Sequence, residues 1–499
     1  METQIYQHYL TMPLKKMGRW ALLPADVETW MTEHTSHYFQ ELFGLPKGIL
    51  NISTLHDGYM QNYVPTPFIN KLYAKIDSLT HNDPQGLEKI LRTFYGIRRQ
   101  ACQQVAINKT DSRLSKISTE ELINLYKTNR DWVHHISAFD QFGWIGENYW
   151  EPKMKDVLVK AGLNPGSTEY HQALFALAKP EELSTTLMER KGLLSSAIKI
   201  KQGKLDLSSA AKKLTKQFGW MPVFTYGTPW DASWYEKQLA RLAKKEEIVL
   251  SRDYQNLVDY KSIRHKEISR IVKAYKLTER DQQVFMDFGL TLDVRNEAEY
   301  FVSFAGLYLI PLYQEMAKRL SLSVDELRQL FEDEIVSALR GEIDPKQTIK
   351  GKQGIVAWGF DPDMRQRFNL TGEAAKDLFE GVEKNLNQAP QSKEARGVCA
   401  SPGQASGPAR VLLTPAENDR VQEGDILVTV ATTVDYLPAM QRASAIVTEV
   451  GGLTCHAAVV AREFGVPCIV SFANATRVFK DGQLLALNAD KTTIKKIGL

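Results

Sequence analysis

Apolar residues recur every three to four positions over most of the chain beyond Pro84. This spacing predicts helices at about 84–108, 118–142, 169–178, 180–202, 207–218, through a run from 231 to 342, and at about 371–386. Capping signals support them, as in Ser118-Thr119-Glu120-Glu121 and the Ser323 to Glu326 segment. Residues 1 to about 83 are a mixed, aromatic-rich lead-in, where Pro13, Pro24, Pro46, Pro65 and Pro67 interrupt any long helix. A short strand is expected at Ile355–Trp358 within an irregular stretch. Residues 385–394 are polar, contain a proline and lack apolar periodicity, which reads as a linker.

Beyond the linker the period changes. Short β-branched runs near 409–413, 424–430, 445–450, 468–471 and 483–488 alternate with helices expected at 434–442 and 456–464. The expected architecture is therefore multidomain: a mostly helical domain over 1–384, the 385–394 linker, and a small α/β domain over 395–499.

The chemistry concentrates between Ala443 and Val470. Ala445, Ile446 and Val447 lead to Gly451-Gly452, after which Ala457, Val460, Ala461 and Phe464 share one helix face, with Gly465 and Pro467 as the stop. Thr454 is expected as the N-cap, leaving His456 in the first turn, among unpaired backbone N–H groups at the positive end of the helix dipole. That position disfavours the imidazolium and favours an anion on the ring. Gly451 and Gly452 let backbone approach a phosphate closely. A single histidine at a helix start is more often a structural hydrogen-bonder, but these neighbours suit one that accepts and passes on a phosphoryl group.

The stretch resembles the phosphohistidine swivelling domain of the phosphoenolpyruvate-utilising enzymes, which include pyruvate phosphate dikinase, phosphoenolpyruvate synthase, rifampin phosphotransferase and phosphotransferase-system enzyme I. The likeness rests on Gly451-Gly452, Thr454-Cys455-His456-Ala457-Ala458 and the tail Ala461-Arg462-Glu463-Phe464-Gly465-Val466-Pro467. Upstream, Ser401-Pro402-Gly403, Gly407, Asp425 to Val428, Thr432-Thr433, Asp435, Pro438 and Met440 also fit. It covers roughly residues 395–499 and is nearest the synthase-like branch. The resemblance implies that His456 is the phosphorylated residue, supported by Gly451, Gly452, Thr454, Cys455 and Arg462, and that the linker lets it visit two sites. Cys455 reads as a small space-filling residue, with a second catalytic group as the alternative.

Composition narrows the remaining classes. A formal net charge of +3 on 499 residues argues against wholesale nucleic-acid or membrane binding. Four cysteines without CxxC spacing make disulfides and a cysteine metal site unexpected, and point to a reducing cytoplasm. The N-terminus lacks the apolar core of a signal peptide. The longest apolar stretch, Phe304–Tyr313, is ten residues, too short to span a bilayer, and reads as a buried helix.

The helical body holds all nine tryptophans. Trp132, Trp144, Trp150, Trp220, Trp230 and Trp234 are interleaved with Gly143, Gly146, Gly219 and Gly227, a pattern read as aromatic glycine turns walling a pocket, with ordinary core packing as the alternative. Gln-Phe-Gly-Trp occurs twice, at 141–144 and 217–220. Trp144, Glu147, Trp220 and Arg295 are the expected acceptor-site residues, Glu147 as base or orienting carboxylate and Arg295 as phosphoryl-neutralising cation. Asp140 and Asp231 are further polar neighbours. His134-His135 lack a spaced carboxylate, so no metal site is expected.

The family's ATP-grasp motifs are not found. Val294-Arg295 and Ser303-Phe304-Ala305-Gly306 echo one of them without its Ser-Ser, and no Walker-type loop is present. The chain also ends at Leu499, which leaves no room for the family's C-terminal TIM barrel. The resemblance thus implies a dikinase-type phosphotransferase component. A separate ATP-grasp partner would phosphorylate His456, Mg²⁺ would be held mainly with ATP on that partner, and a small, aromatic or alicyclic acceptor would sit in the helical domain. The rival is a phosphocarrier in a phosphoenolpyruvate-driven relay that docks a partner protein.

Overall fold

The computed structural model describes residues 14–20, 37–38, 40–42, 52–56, 59–81, 85–107, 111–225, 228–352, 354–360, 367–387, 397–453 and 455–497. By contact the chain divides into two units, residues 1–145 with 305–394 and residues 146–304 with 395–499. One boundary falls at the end of the expected linker, of which residues 388–394 lie outside the described residues. The boundaries at 145/146 and 304/305 have no counterpart in the sequence reading, because each lies inside a continuous helix, Thr119–Lys160 or Glu279–Arg319.

The first unit contains a five-stranded antiparallel sheet. Strands β1 (Leu14–Trp20), β2 (Ile52–His56), β3 (Tyr59–Pro65), β4 (Val356–Phe360) and β5 (Arg367–Thr371) run in the order β1-β3-β2-β4-β5. The strand expected at Ile355–Trp358 is β4, and it pairs with β2 through Ser53 opposite Trp358. Most of this sheet is missing from the sequence reading, because its stability comes from partners some three hundred positions apart. Helix Gly372–Asn387 packs on it, burying Ala375, Leu378 and Val382 along one face, while Tyr63 Oη donates to Glu383 Oε1 at 2.6 Å.

His134, expected to lack a carboxylate partner, has one from a distant helix. Glu332 accepts from Arg130 Nε at 2.6 Å and from Arg130 Nη2, and lies 3.1 Å from His134 Nε2. Burial pushes the Glu332 carboxyl up, but Arg130 and His134 outweigh it and hold it well below the usual carboxylate range. His135 stacks on Tyr38 at 4.0 Å. Glu332→Gln removes the carboxylate that pairs with buried Arg130 and His134 and is expected to destabilise the protein by about 3–5 kcal/mol in denaturant unfolding.

Helix Thr119–Lys160 continues past the expected end at 142, through Gly143, Gly146 and Pro152. Ile145, Tyr149, Trp150, Met154 and Leu158 are buried and extend its apolar face, so packing overrides the glycine and proline breakers. The two Gln-Phe-Gly-Trp copies therefore adopt different conformations. The first is helix interior; in the second, Gly219 is the C-cap of helix Leu207–Phe218 and Trp220 follows it. Gly227 lies outside the described residues. Phe304–Tyr313 is helical as expected, within Glu279–Arg319.

In the second unit, helices Thr168–Leu177, Thr185–Lys201, Leu207–Phe218 and Ala232–Leu242 begin at Ser167, Ser184, Asp206 and Asp231. Each cap's side-chain oxygen accepts a backbone N–H of the first turn. Helices Glu247–Val258 and Tyr260–Tyr275 follow. The C-terminal segment forms a seven-stranded sheet from β6 (Val398–Ser401), β7 (Gln404–Leu412), β8 (Ile426–Thr429), β9 (Ala445–Thr448), β10 (Cys468–Val470), β11 (Leu484–Asn488) and β12 (Thr493–Lys496).

Its order is β12-β11-β7-β8-β9-β10-β6, with β7 to β10 parallel and the outer pairings antiparallel. Strands β8, β9 and β10 are wholly buried, as parallel strands covered on both faces must be. Leu193 and Tyr235 of the helices and Trp230 of the loop before Asp231 share one apolar core with Ile446, Val460 and Cys468 of the C-terminal segment. Burial of that shared core joins residues 146–304 to 395–499. Among the described residues, no helix is long and apolar enough to cross a membrane.

Candidate functional site

Strand β9 runs into the Gly451-Gly452 turn, and helix His456–Phe464 returns the chain to β10, parallel to β9. Gly451 has φ +128, and a Cβ there would sit 2.6 Å from Cys455 Sγ, so this turn requires glycine. Gly452 has more room: the nearest atom to an added Cβ is Glu151 Oε2 at 3.6 Å. The N-cap is Cys455 rather than Thr454, in extended geometry with no side-chain cap bond, and His456 is the first helical residue. Thr454 itself lies outside the described residues. Gly465, left-handed at φ 65, ends the helix.

The two ring nitrogens of His456 have different surroundings. Nδ1 lies 3.0 Å from Thr432 Oγ1. Nε2 is sealed from solvent and has no hydrogen-bond partner among the described residues, although the residue as a whole is only partly buried. With the hydrogen on Nδ1 donated to Thr432, Nε2 carries the lone pair of a neutral, nucleophilic imidazole. Burial, reinforced by the Arg295 charge, pushes the ring down to about 3, so it is neutral at pH 7.

Arg295 and Glu147, each expected at the acceptor site in a separate role, pair with one another beside this ring. Arg295 Nη1 donates to both Glu147 oxygens, at 2.8 and 3.1 Å, and Nη2 donates to Glu299 at 3.0 Å. Glu147 is thus a carboxylate that holds the arginine, not one standing open as a base. Glu299 escaped the sequence reading, although its i+4 spacing from Arg295 on one helix is an ion-pair signal. Thr432 was read only as part of a motif; its reach to a ring 24 positions away is a property of the fold.

The other expected residues fall into scaffold positions. Arg462 Nη1 donates to the carbonyls of Leu453 and, at 3.1 Å, Ala400, and its guanidinium lies 5.2 Å from the Phe175 ring centroid. It ties the glycine turn to β6. Trp220 Nε1 donates to Gln217 O at 2.8 Å, and its ring packs edge-on to Tyr300 and Phe304. Trp230 is buried and stacks on Trp234 at 4.1 Å. Trp144 and Asp140 are counted in the first unit, and Glu147, Arg295 and His456 in the second. Asp231 is a helix cap. Burial pushes the Cys455 thiol up, which suits a packing residue better than a reactive thiolate.

A neutral imidazole at a helix start, with one nitrogen anchored and the other without a partner among the described residues, is suited to act as a nucleophile. Residues 421–492 match the family model described as PEP-utilising enzyme, mobile domain. The chain is 47% identical over 116 residues to a probable phosphoenolpyruvate synthase of Archaeoglobus fulgidus, covering 23% of this chain and 15% of the relative. It is 38% identical over 145 residues to the phosphoenolpyruvate synthase of Pyrococcus furiosus (28% and 18%). With that of Pseudomonas aeruginosa it shares 53% over 78 residues (16% and 10%). The chain therefore spans less than a fifth of the length of these relatives.

Proposed function

We propose that the protein is a phosphotransferase component in which His456 Nε2 takes a phosphoryl group from ATP by way of a separate ATP-grasp chain. It then passes the group to a small-molecule acceptor bound against the helical segment 146–304. The observation that carries the reading is the bare, buried Nε2 of His456 beside Arg295, with Nδ1 anchored on Thr432. The Nε2 lone pair forms the N–P bond as the donor's P–O bond breaks. Arg295 neutralises charge on the phosphoryl oxygens, and on transfer the N–P electrons return to the ring.

On this reading His456 meets Arg295 at the acceptor end of its movement, and the partner loads the histidine elsewhere. Mg²⁺ accompanies ATP on that partner. Beside His456 the carboxylates of Glu147 and Glu299 are already committed to Arg295, and among the described residues no three His, Cys, Asp or Glu side chains converge. The donor set here does not fit a resident Mg²⁺.

The test is incubation of the full chain with ATP labelled at the β or the γ phosphorus, with an ATP-grasp chain present, and separately with labelled phosphoenolpyruvate alone. Acid-labile label from the β position supports the reading. Label from phosphoenolpyruvate alone replaces it with the relay-carrier alternative.

Thr432→Val keeps shape but removes the acceptor for Nδ1–H. Loading of His456 is expected to slow about 10–100-fold, and the proton is expected to redistribute between the two ring nitrogens. Imidazole ¹⁵N shifts check this, and an unchanged tautomer with an unchanged rate would remove Thr432 from the mechanism.

A further inference from the structure

Away from the imidazole, residues 182–261 enclose an open cavity of about 550 Å³ that no step above uses. It lies between helix Thr185–Lys201, the end of Leu207–Phe218, and helices Glu247–Val258 and Tyr260–Tyr275, all in the second unit. Phe218, Tyr254 and Leu257 line it. Met188 and Val258, also in the lining, are 43% and 44% exposed, so the hollow keeps apolar surface open to solvent.

The two cations of the lining differ. Lys261 is paired with Glu182, whereas no carboxylate of the described residues lies within ion-pair distance of Lys191. A hollow of this volume that offers the Phe218 and Tyr254 rings and Leu257 among polar side chains, with a single unmatched ammonium, is what a small-molecule site requires: area for flat apolar surface and one charge to fix orientation. The Tyr260 hydroxyl is already donated to Pro180 O at 2.8 Å, which leaves Lys191 as the charge-selecting group.

We propose that this cavity binds a small aromatic anion, one or two rings bearing a carboxylate or a similar acidic group, at a site separate from His456. The separation follows from the helix itself. Leu183 of the lining adjoins Ser184, whose hydroxyl donates to Glu463 at 2.5 Å, and Glu463 is seven residues, about 10 Å, along the helix from His456. Binding here does not depend on phosphorylation.

The experiment is calorimetric titration of the full chain with 2-naphthoate and with uncharged 2-naphthol. Naphthoate is expected to bind one-to-one with a Kd on the order of 0.1–1 mM, about tenfold tighter than naphthol. Lys191→Met should erase that preference, and Ser195→Phe, which fills the cavity, should abolish binding of both. His456→Gln should change neither. The proposal is overturned by the absence of saturable binding up to roughly ten times that Kd, by binding that survives Ser195→Phe, or by a naphthoate preference that survives Lys191→Met. Because His456→Gln removes the phosphoryl site without touching the cavity, failure here is distinguishable from failure of the transfer reading.

Discussion

His456→Gln is expected to abolish acid-labile phosphorylation, lowering it more than about 10³-fold, while the protein stays folded. Glutamine presents an amide to Thr432 but has no nucleophilic nitrogen lone pair, because the amide nitrogen's electrons are delocalised into its carbonyl. Fold retention is expected because the ring makes a single hydrogen bond, to Thr432, and the first helical position tolerates most side chains. The replacement also removes a group whose charging is suppressed by burial. A histidine held down in this way contributes stability that is present above its unfolded value near 6.5 and is lost as pH falls towards its folded value. The variant should therefore lose less stability than the parent between roughly pH 6.5 and 4. Intact-protein mass after loading and thermal unfolding across that range check both halves. Label persisting in the variant would remove the assignment of His456.

The strand, glycine turn and helix around His456 were legible in the sequence because they are made locally. A β-branched run, a pair of glycines and a 3.6-residue apolar period each signal their own conformation. The cap position slipped by one residue, from Thr454 to Cys455, because the turn enforced by Gly451 sets where the chain enters the helix. What the sequence did not disclose is non-local. The first unit's sheet pairs β2 with β4 across three hundred positions, and Glu332 reaches Arg130 across two hundred. Aromatic-glycine pairs suggested turns at Gly143 and Gly146 until burial of Tyr149, Trp150 and Met154 kept the helix going. Glu147 and Arg295 were named for the chemistry each carries alone; paired, the first becomes a brace for the second.

Arg295→Met should leave loading by the partner intact and slow transfer to the acceptor by about 10²–10³-fold. The guanidinium is only 10% exposed and is gripped by Glu147 and Glu299, so its charge sits in a low-dielectric setting where it acts strongly on neighbouring anions. In the parent it disfavours the imidazolium; in the phosphorylated state the same charge faces the phosphoryl oxygens and favours them. Its loss should raise the His456 ring towards its ordinary value, which NMR titration of the Cε1 proton would register, a readout that a purely structural role would not move. The variant removes the cation that pairs with buried Glu147 and partly buried Glu299, so some destabilisation is expected as well. Arg295→Met combined with Glu147→Gln separates the causes. Removing one of the two negative charges should recover stability without recovering transfer, because the brace has no purpose once the arginine is gone. Arg295→Lys keeps the charge but not the fork that spans both glutamates, and should fall between the two. Recovery of transfer in the double variant would make Arg295 a structural residue only.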